Sequence, residues 1–541
     1  MDFDLNKLPL AVLYAETHFR FFRFFPSFLY QKEPEIIFDM PKRIDSGNDV
    51  PVILICNDTD SYPIKILNVS LSLSQNSGSK KIFCESDISK YKIDHPFKNQ
   101  SEVYLFSLSK ELFTHGAFAV NGKAVVLCKK KERIIFNDNL KTTSKAPLVG
   151  YFAENRLPGY EYCLYGDLHV HSQFSRSHVE FGPPVSIIDT VASACGLSFV
   201  GITDHSYDLS CEMDNYLKTD PELGLWKSFV NNIQSQKKMF KTVIIPGEEI
   251  SVCNENGHVV HLCTLGIKDF IPGSKDGARR QKGIPDTLKL EDVIKTIQRE
   301  NGYSFAAHPG AKSSLLQRLF LKRGKWGKND VHRDLQGFQP LNGGFTLSWR
   351  RAQQLWRSML LKGYRLPLVA GNDAHGDFNR YRAIDKPFIN IKENFFRHFS
   401  YSRTGIYCMD RSEEQILKSL KEGKTFITNG PYIGLSITDN PRDSIIKNRS
   451  VEFTDNTFYV IVYSTPEFGR IAVVQVIRGY YSSKCEKLLF NSSLSDQSYY
   501  LIKKIVIDPE HGLGYIRASV QCLKNDNTRA MAFTSPCYIN K

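Results

Sequence analysis

The 541-residue sequence lacks the features that would place it in a membrane or outside the cell. No apolar stretch approaches the 18 residues that a membrane helix needs. The N-terminus has neither the basic start nor the apolar core of a secretory signal. The twelve cysteines include no CxxC pair, and a chain of this size needs no disulfide scaffold. We therefore expect a cytoplasmic protein with no transmembrane segment and with reduced cysteines.

Low-complexity segments and internal repeats are also missing, which excludes fibrous and repeat architectures. Hydrophobic residues make up 42% and charged residues 23% of the chain, as in ordinary globular proteins. At about 150 residues per domain, the length predicts three to four domains. The net charge of +13 favours an anionic partner, either a small molecule or a nucleotide substrate. Nucleic acid and a merely solvated basic surface stay open as alternatives.

Three regions differ in their local pattern. Short β-type runs separated by turns predict an N-terminal β-rich domain over residues 1–150, which begins with an aromatic segment around residues 19–30. We expect that segment to pack on a neighbouring domain rather than on a membrane surface. Strand, loop and helix then alternate over residues 160–425, which predicts a parallel, barrel-like α/β unit. The β pattern returns over residues 426–541 and predicts a C-terminal β-sandwich-like domain.

Histidines and carboxylates concentrate in the middle region, several of them where a predicted strand ends. His169 and His171 are two residues apart, so on a strand both side chains point to one face. Asp373 and His375 repeat this spacing. Imidazole and carboxylate groups suit Zn, Mn and Fe. The candidate ligands are His169, His171, His205, Glu249, His261, His308, Asp373 and His375.

Eight donors exceed what one tetrahedral ion needs, so the pattern predicts at least two divalent metals, with Glu249 able to bridge them. Two positions have neighbours that compete with them. Glu248 is an alternative to Glu249, and His258 is an alternative to His261; strand alternation allows only one member of each pair to face the site.

The ordered motifs GDLHVH, TDH, PGxE, HLxxLG, AHP and GxDAH resemble those of the PHP (polymerase and histidinol phosphatase) domain. The segment 421–435 and the β-rich tail are similar to the carbaryl-hydrolase-type subgroup, which carries flanking β-domains. The resemblance implies a distorted (β/α)7 barrel between two β-sandwich-like domains, with two or three divalent transition metals (Mn, Fe or Zn). It also implies hydrolysis of phosphoesters. Asp204 of the TDH motif is expected to orient a ligand or a water near the reaction.

One departure from the family pattern follows the HxH motif, where many PHP domains carry an aspartate that helps to hold a further metal. Arg176 stands in its place here. His178 is the candidate substitute ligand, with Glu180 next in line, and an absent third metal is the alternative. We expect Arg176 to bind a substrate phosphate through its bidentate donors.

These observations predict a metal-dependent hydrolase, a phosphoesterase acting on a phosphorylated small molecule or nucleotide through a metal-activated hydroxide. A metal-dependent amidohydrolase or esterase is the first alternative, and a non-catalytic metal-binding scaffold is the second. The basic insert over residues 312–333 is long for a loop, so a lid or a substrate-binding role is one interpretation and a solvated loop is the other.

Overall fold

The computed structural model describes residues 30, 32–76, 78–93, 101–140, 143, 145–175, 182–213, 218–273, 288–313, 323–376, 378–380, 383–386, 389–392, 397–443, 450–451, 457–493, 498–507 and 512–539. These residues form two compact units. The first unit draws on residues 1–156, 176–196 and 374–399, and the second on residues 157–175, 197–373 and 400–541. The units interleave along the chain, and the division into domains 1–150, 160–425 and 426–541 stays a prediction.

Strands dominate the described residues. In chain order they are β1 (Glu35–Asp39), β2 (Arg43–Ile44), β3 (Val50–Asn57), β4 (Ile64–Gln75), β5 (Gly78–Glu85), β6 (Lys92–Ile93), β7 (Ser101–Leu108), β8 (Gly116–Cys128), β9 (Lys131–Phe136), β10 (Leu148–Phe152), β11 (Leu164–Val170), β12 (Phe199–Ile202), β13 (Val243–Cys253), β14 (Val259–Leu265), β15 (Tyr303–Ala306), β16 (Gly337–Asn342), β17 (Leu368–Gly371), β18 (Ala383–Lys386), β19 (Ile389–Lys392), β20 (Arg403–Ile406), β21 (Thr425–Thr428), β22 (Tyr432–Ser436), β23 (Ser450–Val451), β24 (Thr457–Tyr463), β25 (Arg470–Tyr480), β26 (Cys485–Ser493), β27 (Tyr500–Val506), β28 (Gly514–Leu523), β29 (Arg529–Thr534) and β30 (Cys537–Ile539).

Six α-helices lie in the described ranges: α1 (Val185–Ala194), α2 (Ser206–Leu209), α3 (Gly224–Gln236), α4 (Leu290–Arg299), α5 (Leu347–Leu360) and α6 (Glu413–Lys421). The Ser412 hydroxyl caps α6, because it accepts a hydrogen bond from the backbone N–H of Gln415. Gly423, with φ of 67°, follows the end of this helix. No helix within the described ranges combines the length and the apolar character that crossing a membrane requires. The cytoplasmic location stays a prediction.

The first unit contains two main sheets that contribute to one core. Their strand orders are β1-β3-β7-β6 and β2-β10-β8-β4-β5, with β9 paired to β8. Every second residue along most of β8 is buried, the pattern of a strand with one face on a core. The core includes Phe38 from the first sheet, Val120 from the second and Ala194 from α1.

The second unit is organised around a 15-stranded mixed sheet. Its main path runs β17-β16-β15-β14-β13-β12-β11-β20-β21-β29-β28-β25-β26. Strands β11, β12 and β13 are parallel, as are β15, β16 and β17, whereas β14 is antiparallel to both of its neighbours. A separate sheet has the order β22-β24-β27. All seven residues of β11 are buried, as expected for a strand covered on both faces.

The predicted distorted (β/α)7 barrel, and with it the PHP-type or TIM-like architecture, is wrong. Strands β13, β14 and β15 pair antiparallel instead of alternating with helices in a parallel ring. At β11 the sheet does not end but continues through antiparallel β20 and β21 into the C-terminal strands. The local alternation of strands and helices carries no information about which strands become neighbours, and that pairing decides between a mixed sheet and a parallel barrel.

Candidate metal centre

Glu249 on β13 lies at the centre of a group of imidazoles. Its side chain is 1% exposed. One carboxylate oxygen, Oε1, lies 2.6 Å from His261 Nδ1 and 2.9 Å from His308 Nε2. The other, Oε2, lies 2.9 Å from His205 Nδ1 and 3.5 Å from His171 Nε2. Each oxygen of this buried carboxylate therefore faces its own set of histidines.

The rings of His169 and His171 are oriented by hydrogen bonds on their Nδ1 atoms. His169 Nδ1 lies 3.0 Å from Gln339 Oε1, which can only accept. His171 Nδ1 lies 3.0 Å from the Ser175 hydroxyl, which donates its single proton to Asp204 Oδ1 at 2.7 Å. Both Nδ1 atoms are therefore donors, and in the neutral tautomer each Nε2 carries a lone pair.

These two lone pairs point towards carboxylates. His169 Nε2 lies 3.5 Å from Glu249 Oε1 and 3.6 Å from Asp373 Oδ1. His171 Nε2 lies 3.4 Å from the same Asp373 oxygen. Unprotonated nitrogens and ionised carboxylates repel one another unless a cation lies among them.

Two residues of the cluster adopt a backbone conformation that side chains rarely take. The φ angle is 53° at Asp373 and 32° at His308, and each follows the end of a buried strand. The backbone N–H of Asp373 donates to the carbonyl of His169 at 2.8 Å, which fixes the position of this turn. Strained positions of this kind concentrate at functional sites, where the surrounding structure enforces them.

The charges in the cluster are strongly coupled. Burial alone would raise the pKa of Glu249, but the facing imidazoles of His261, His169 and His205 outweigh it and hold that pKa well below its usual value. Burial opposes a charge on His169, yet Cys263, Glu249 and Asp373 raise the pKa of its imidazole well above the usual value. Burial lowers the pKa of His308 to about 4 despite its contact with Glu249. The carboxylates thus favour a positive charge on His169, whereas burial disfavours one on His308.

The donor set fits divalent metal ions. In the second unit, His169, His171, Glu249 and Asp373 bring one ligand atom each to within 4.8 Å of one another, and so do Glu249, His261 and His308. Glu249 belongs to both groups, as a bridging carboxylate would. Its Oε2 accepts no hydrogen bond from the described residues, although two imidazole nitrogens lie nearby. The assignment of these residues as ligands remains a prediction.

Three other candidate residues, Asp204, Glu248 and His258, form hydrogen bonds with residues outside the group of metal-ligand candidates. Asp204 accepts hydrogen bonds from the backbone and hydroxyl of Ser172 at 2.7 and 2.6 Å, so it positions the loop after β11. Glu248 accepts from the backbone N–H of Ile271 at 3.0 Å, and burial raises the pKa of its carboxyl well above the usual value. His258 donates its backbone N–H to Asn254. Glu249 and His261 are therefore the members of their pairs that join the cluster.

For the other predicted site residues, a role as a metal ligand or in substrate binding stays a prediction. His375 is buried and belongs to the first unit. Arg176, His178 and Glu180 lie outside the described residues, so the substrate-binding arginine and the third-metal ligand stay predictions. The basic insert is described only at its two ends, up to residue 313 and from residue 323, and its lid role also stays a prediction.

Sequence reasoning missed three residues around the cluster. Gln339 contacts His169 and also accepts from the backbone N–H of His308 at 3.3 Å. Asn342 donates to Asp373 Oδ2 at 3.3 Å. The Cys263 thiol lies 3.8 Å from both ring nitrogens of His169, and burial raises its pKa to about 11. A polar residue within an otherwise apolar strand is a sequence signal for Gln339, but it does not indicate what Gln339 contacts.

Comparisons with known proteins assign neither family nor activity. No family model and no curated protein matches the chain. Among solved structures, a calcium-binding mutant of Bacteroides uniformis β-glucuronidase 2 is 9% identical over 93% of this chain and 60% of its own, with a TM-score of 0.20. A Parabacteroides merdae β-glucuronidase is 10% identical over 92% and 63%, with a TM-score of 0.17. Similarity this low supports no conclusion about fold or substrate.

Proposed function

We propose that this chain is a metal-dependent hydrolase that cleaves phosphoesters at the cluster around Glu249. One observation carries the proposal. Both oxygens of a fully buried carboxylate face imidazole nitrogens, and the Nε2 atoms of His169 and His171 also face Asp373. Imidazole nitrogens and carboxylate oxygens gathered in one buried cluster are the donor set that divalent cations such as Zn, Mn and Fe prefer.

Divalent ions held by this set would lower the pKa of a water nucleophile and neutralise negative charge on a phosphoryl group. The chain's own residues prepare the site for them. Gln339 and Ser175 hold His169 and His171 with Nε2 towards the cluster. Asn342 holds Asp373 through its second oxygen. Because these supporting groups are themselves fixed, the ligand atoms need little rearrangement.

The choice of a phosphoester over a carboxylic ester or amide rests on charge. The chain carries a formal charge of +13, which attracts anionic substrates over long range. An amidohydrolase or esterase would use the same ligands against a carbonyl group, so it is the competing activity in any assay.

The first test is the metal content of the full chain, purified without a polyhistidine tag and measured by elemental mass spectrometry. We expect about two or three equivalents of Mn, Fe or Zn per chain. His169→Ala/Asp373→Ala should lose most of this metal. His258→Ala removes a histidine just before β14 that lies outside the cluster, and it should keep the wild-type content. No bound metal after reconstitution would overturn the proposal.

The second test compares substrates on the metal-loaded protein. Phosphodiester, phosphomonoester and aryl carboxylic ester substrates are assayed side by side, with the same two variants. We expect turnover of at least one phosphoester, lost in His169→Ala/Asp373→Ala. Turnover of the aryl ester alone would retain the metal centre and replace the phosphoesterase by an esterase.

A further inference from the structure

A second cavity lies in the second unit, away from the cluster around Glu249. Its volume is about 560 Å³, within the range of small-molecule sites. It borders the residues just before β16 and β17 and the last turns of α4 and α6. Residues that line it include Arg333, Asp334, Gln336, Tyr364, Arg365 and Lys421.

The cavity and the cluster lie at opposite ends of the same strands. Strands β15, β16 and β17 are neighbours in the sheet and run parallel to one another. His308 and Asp373 follow the carboxyl ends of β15 and β17, whereas Gln336 and Arg365 precede the amino ends of β16 and β17. Gln336 Oε1 also accepts from the backbone N–H of Ser304 at 2.9 Å, which fixes the amino end of β15.

Two guanidinium groups of this cavity are held by aromatic rings. The guanidinium carbon of Arg333 lies 4.6 Å from the ring centre of Tyr364, and that of Arg365 lies 5.0 Å from the ring centre of Tyr538. Neither guanidinium forms an ion pair or a hydrogen bond with the described part of the chain. A guanidinium that lies over an aromatic ring keeps its N–H donors available for a ligand.

The remaining charges leave the cavity positive. Lys421 donates to the backbone and side-chain oxygens of Asn301, so at least one of its three donors is left for a ligand. The only carboxylate that lines the described cavity belongs to Asp334, and one of its oxygens lies 3.6 Å from His332 Nδ1. Three cationic side chains therefore line the cavity against one carboxylate.

We propose that this cavity binds a small molecule with two linked phosphoryl groups. Arg333 and Arg365 donate to the phosphoryl oxygens as planar forks, and Lys421 adds a third charge-assisted hydrogen bond. The site is separate from the metal cluster, so its occupancy does not require bound metal.

The test is isothermal titration calorimetry on the full chain with pyrophosphate, ADP, inorganic phosphate and citrate. We expect pyrophosphate and ADP to bind, phosphate to bind more weakly, and the carboxylate trianion citrate to bind weakly or not at all. In Arg333→Gln/Arg365→Gln the dissociation constant for pyrophosphate should rise about tenfold or more. The matched control is Arg350→Gln, which replaces an exposed arginine near the first residue of α5. This variant should bind pyrophosphate as the wild type does.

A second arm separates this site from the metal centre. His169→Ala/Asp373→Ala should keep wild-type pyrophosphate binding, measured in the presence of a chelator. Loss of binding in that variant would mean that pyrophosphate occupies the metal cluster, and the proposal would fail. Equal affinity in wild type and Arg333→Gln/Arg365→Gln would also overturn it, as would citrate binding as tightly as pyrophosphate. Circular dichroism verifies that each variant is folded.

Discussion

Gly371 shows how closely the cluster is packed at the level of single residues. A Cβ at this position would lie 2.5 Å from His169 Cβ and 2.8 Å from the backbone nitrogen of His169, so backbone would have to shift. We expect Gly371→Ala to cost about 1–3 kcal/mol of stability through overpacking and to reduce the bound metal. Gly78→Ala is the control, because its nearest neighbour would be 3.6 Å away. Chemical denaturation and elemental analysis of both variants measure the two effects.

Gln339 is the second residue whose role can be isolated, since it contacts His169 and His308 through one amide oxygen. Gln339→Leu keeps the volume but removes this acceptor. Loss of such a supporting hydrogen bond weakens metal binding by about 10–100-fold, and we expect a change of that size in a competition titration with a chromogenic chelator. Gln475→Leu on β25 should leave the affinity unchanged. An unaltered affinity in Gln339→Leu would mean that the amide does not orient the histidines.

The sequence predicted the histidines of the cluster and Asp204, but not the other residues that support them. HxH and DxH spacings are visible because two donors on one strand face share a direction. Gln339 and Asn342 have no such pattern, since one lies within a strand and the other at its end, and both act through residues far apart in sequence. The Cys263 thiol on β14 also lies beside His169, and no cysteine spacing in the sequence indicates it.

At the scale of elements, Glu486 joins β26, β28 and α5. Its carboxylate accepts from Arg517 at 2.8 and 2.9 Å and from Arg357 at 2.6 Å, and its side chain is 4% exposed. Glu486→Gln leaves buried guanidinium donors with a neutral partner. We expect a loss of about 1–3 kcal/mol in unfolding free energy. Glu291→Gln, which affects an exposed pair with Lys295, should change stability by less than about 1 kcal/mol.

The same carboxylate predicts a pH dependence. Burial would raise the pKa of Glu486. The hydrogen bonds from Arg517 and the positive charge of Arg517 outweigh burial and hold that pKa below the usual value. A lowered pKa in the folded state means that the stabilisation is present above the unfolded pKa of about 4.5 and is lost as the pH falls below it. The stability difference between wild type and Glu486→Gln should therefore shrink between about pH 5 and pH 3. A difference that stays constant over that range would contradict this assignment.

At the scale of elements, the sequence did not predict which strands pair with one another. The alternating pattern over residues 160–425 predicts strands there, and β11, β12, β15 and β17 are among those present. Their partners were not predictable, because β14 inserts antiparallel between β13 and β15, and β20 extends the sheet beyond β11. A buried strand has the same local composition whether its neighbour runs parallel or antiparallel.

For the whole molecule, the division into units also depends on contacts that no local pattern records. The helix α1 lies within residues 160–425, the predicted α/β region, yet its residue Ala194 packs in the core of the first unit. Asp39 near the N-terminus accepts backbone hydrogen bonds from Asn379 at 2.8 Å and Arg380 at 3.1 Å. Distant segments thus return to the first unit through buried contacts that sequence periodicity does not show.

The location of the cluster predicts that metal stabilises the two units unequally. Strands β11, β13, β14, β15 and β17 hold or immediately precede its ligands, and all belong to the second unit. Metal at about 100 times its dissociation constant adds about 2.7 kcal/mol to the state that binds it, and a chelator removes this. Hydrogen exchange should then lose protection in β11 and β13, while β3 and β8 of the first unit keep theirs. His169→Ala/Asp373→Ala provides the control, because its exchange should not respond to the chelator. Equal loss of protection in both units would mean that metal stabilises the protein through ligands other than these.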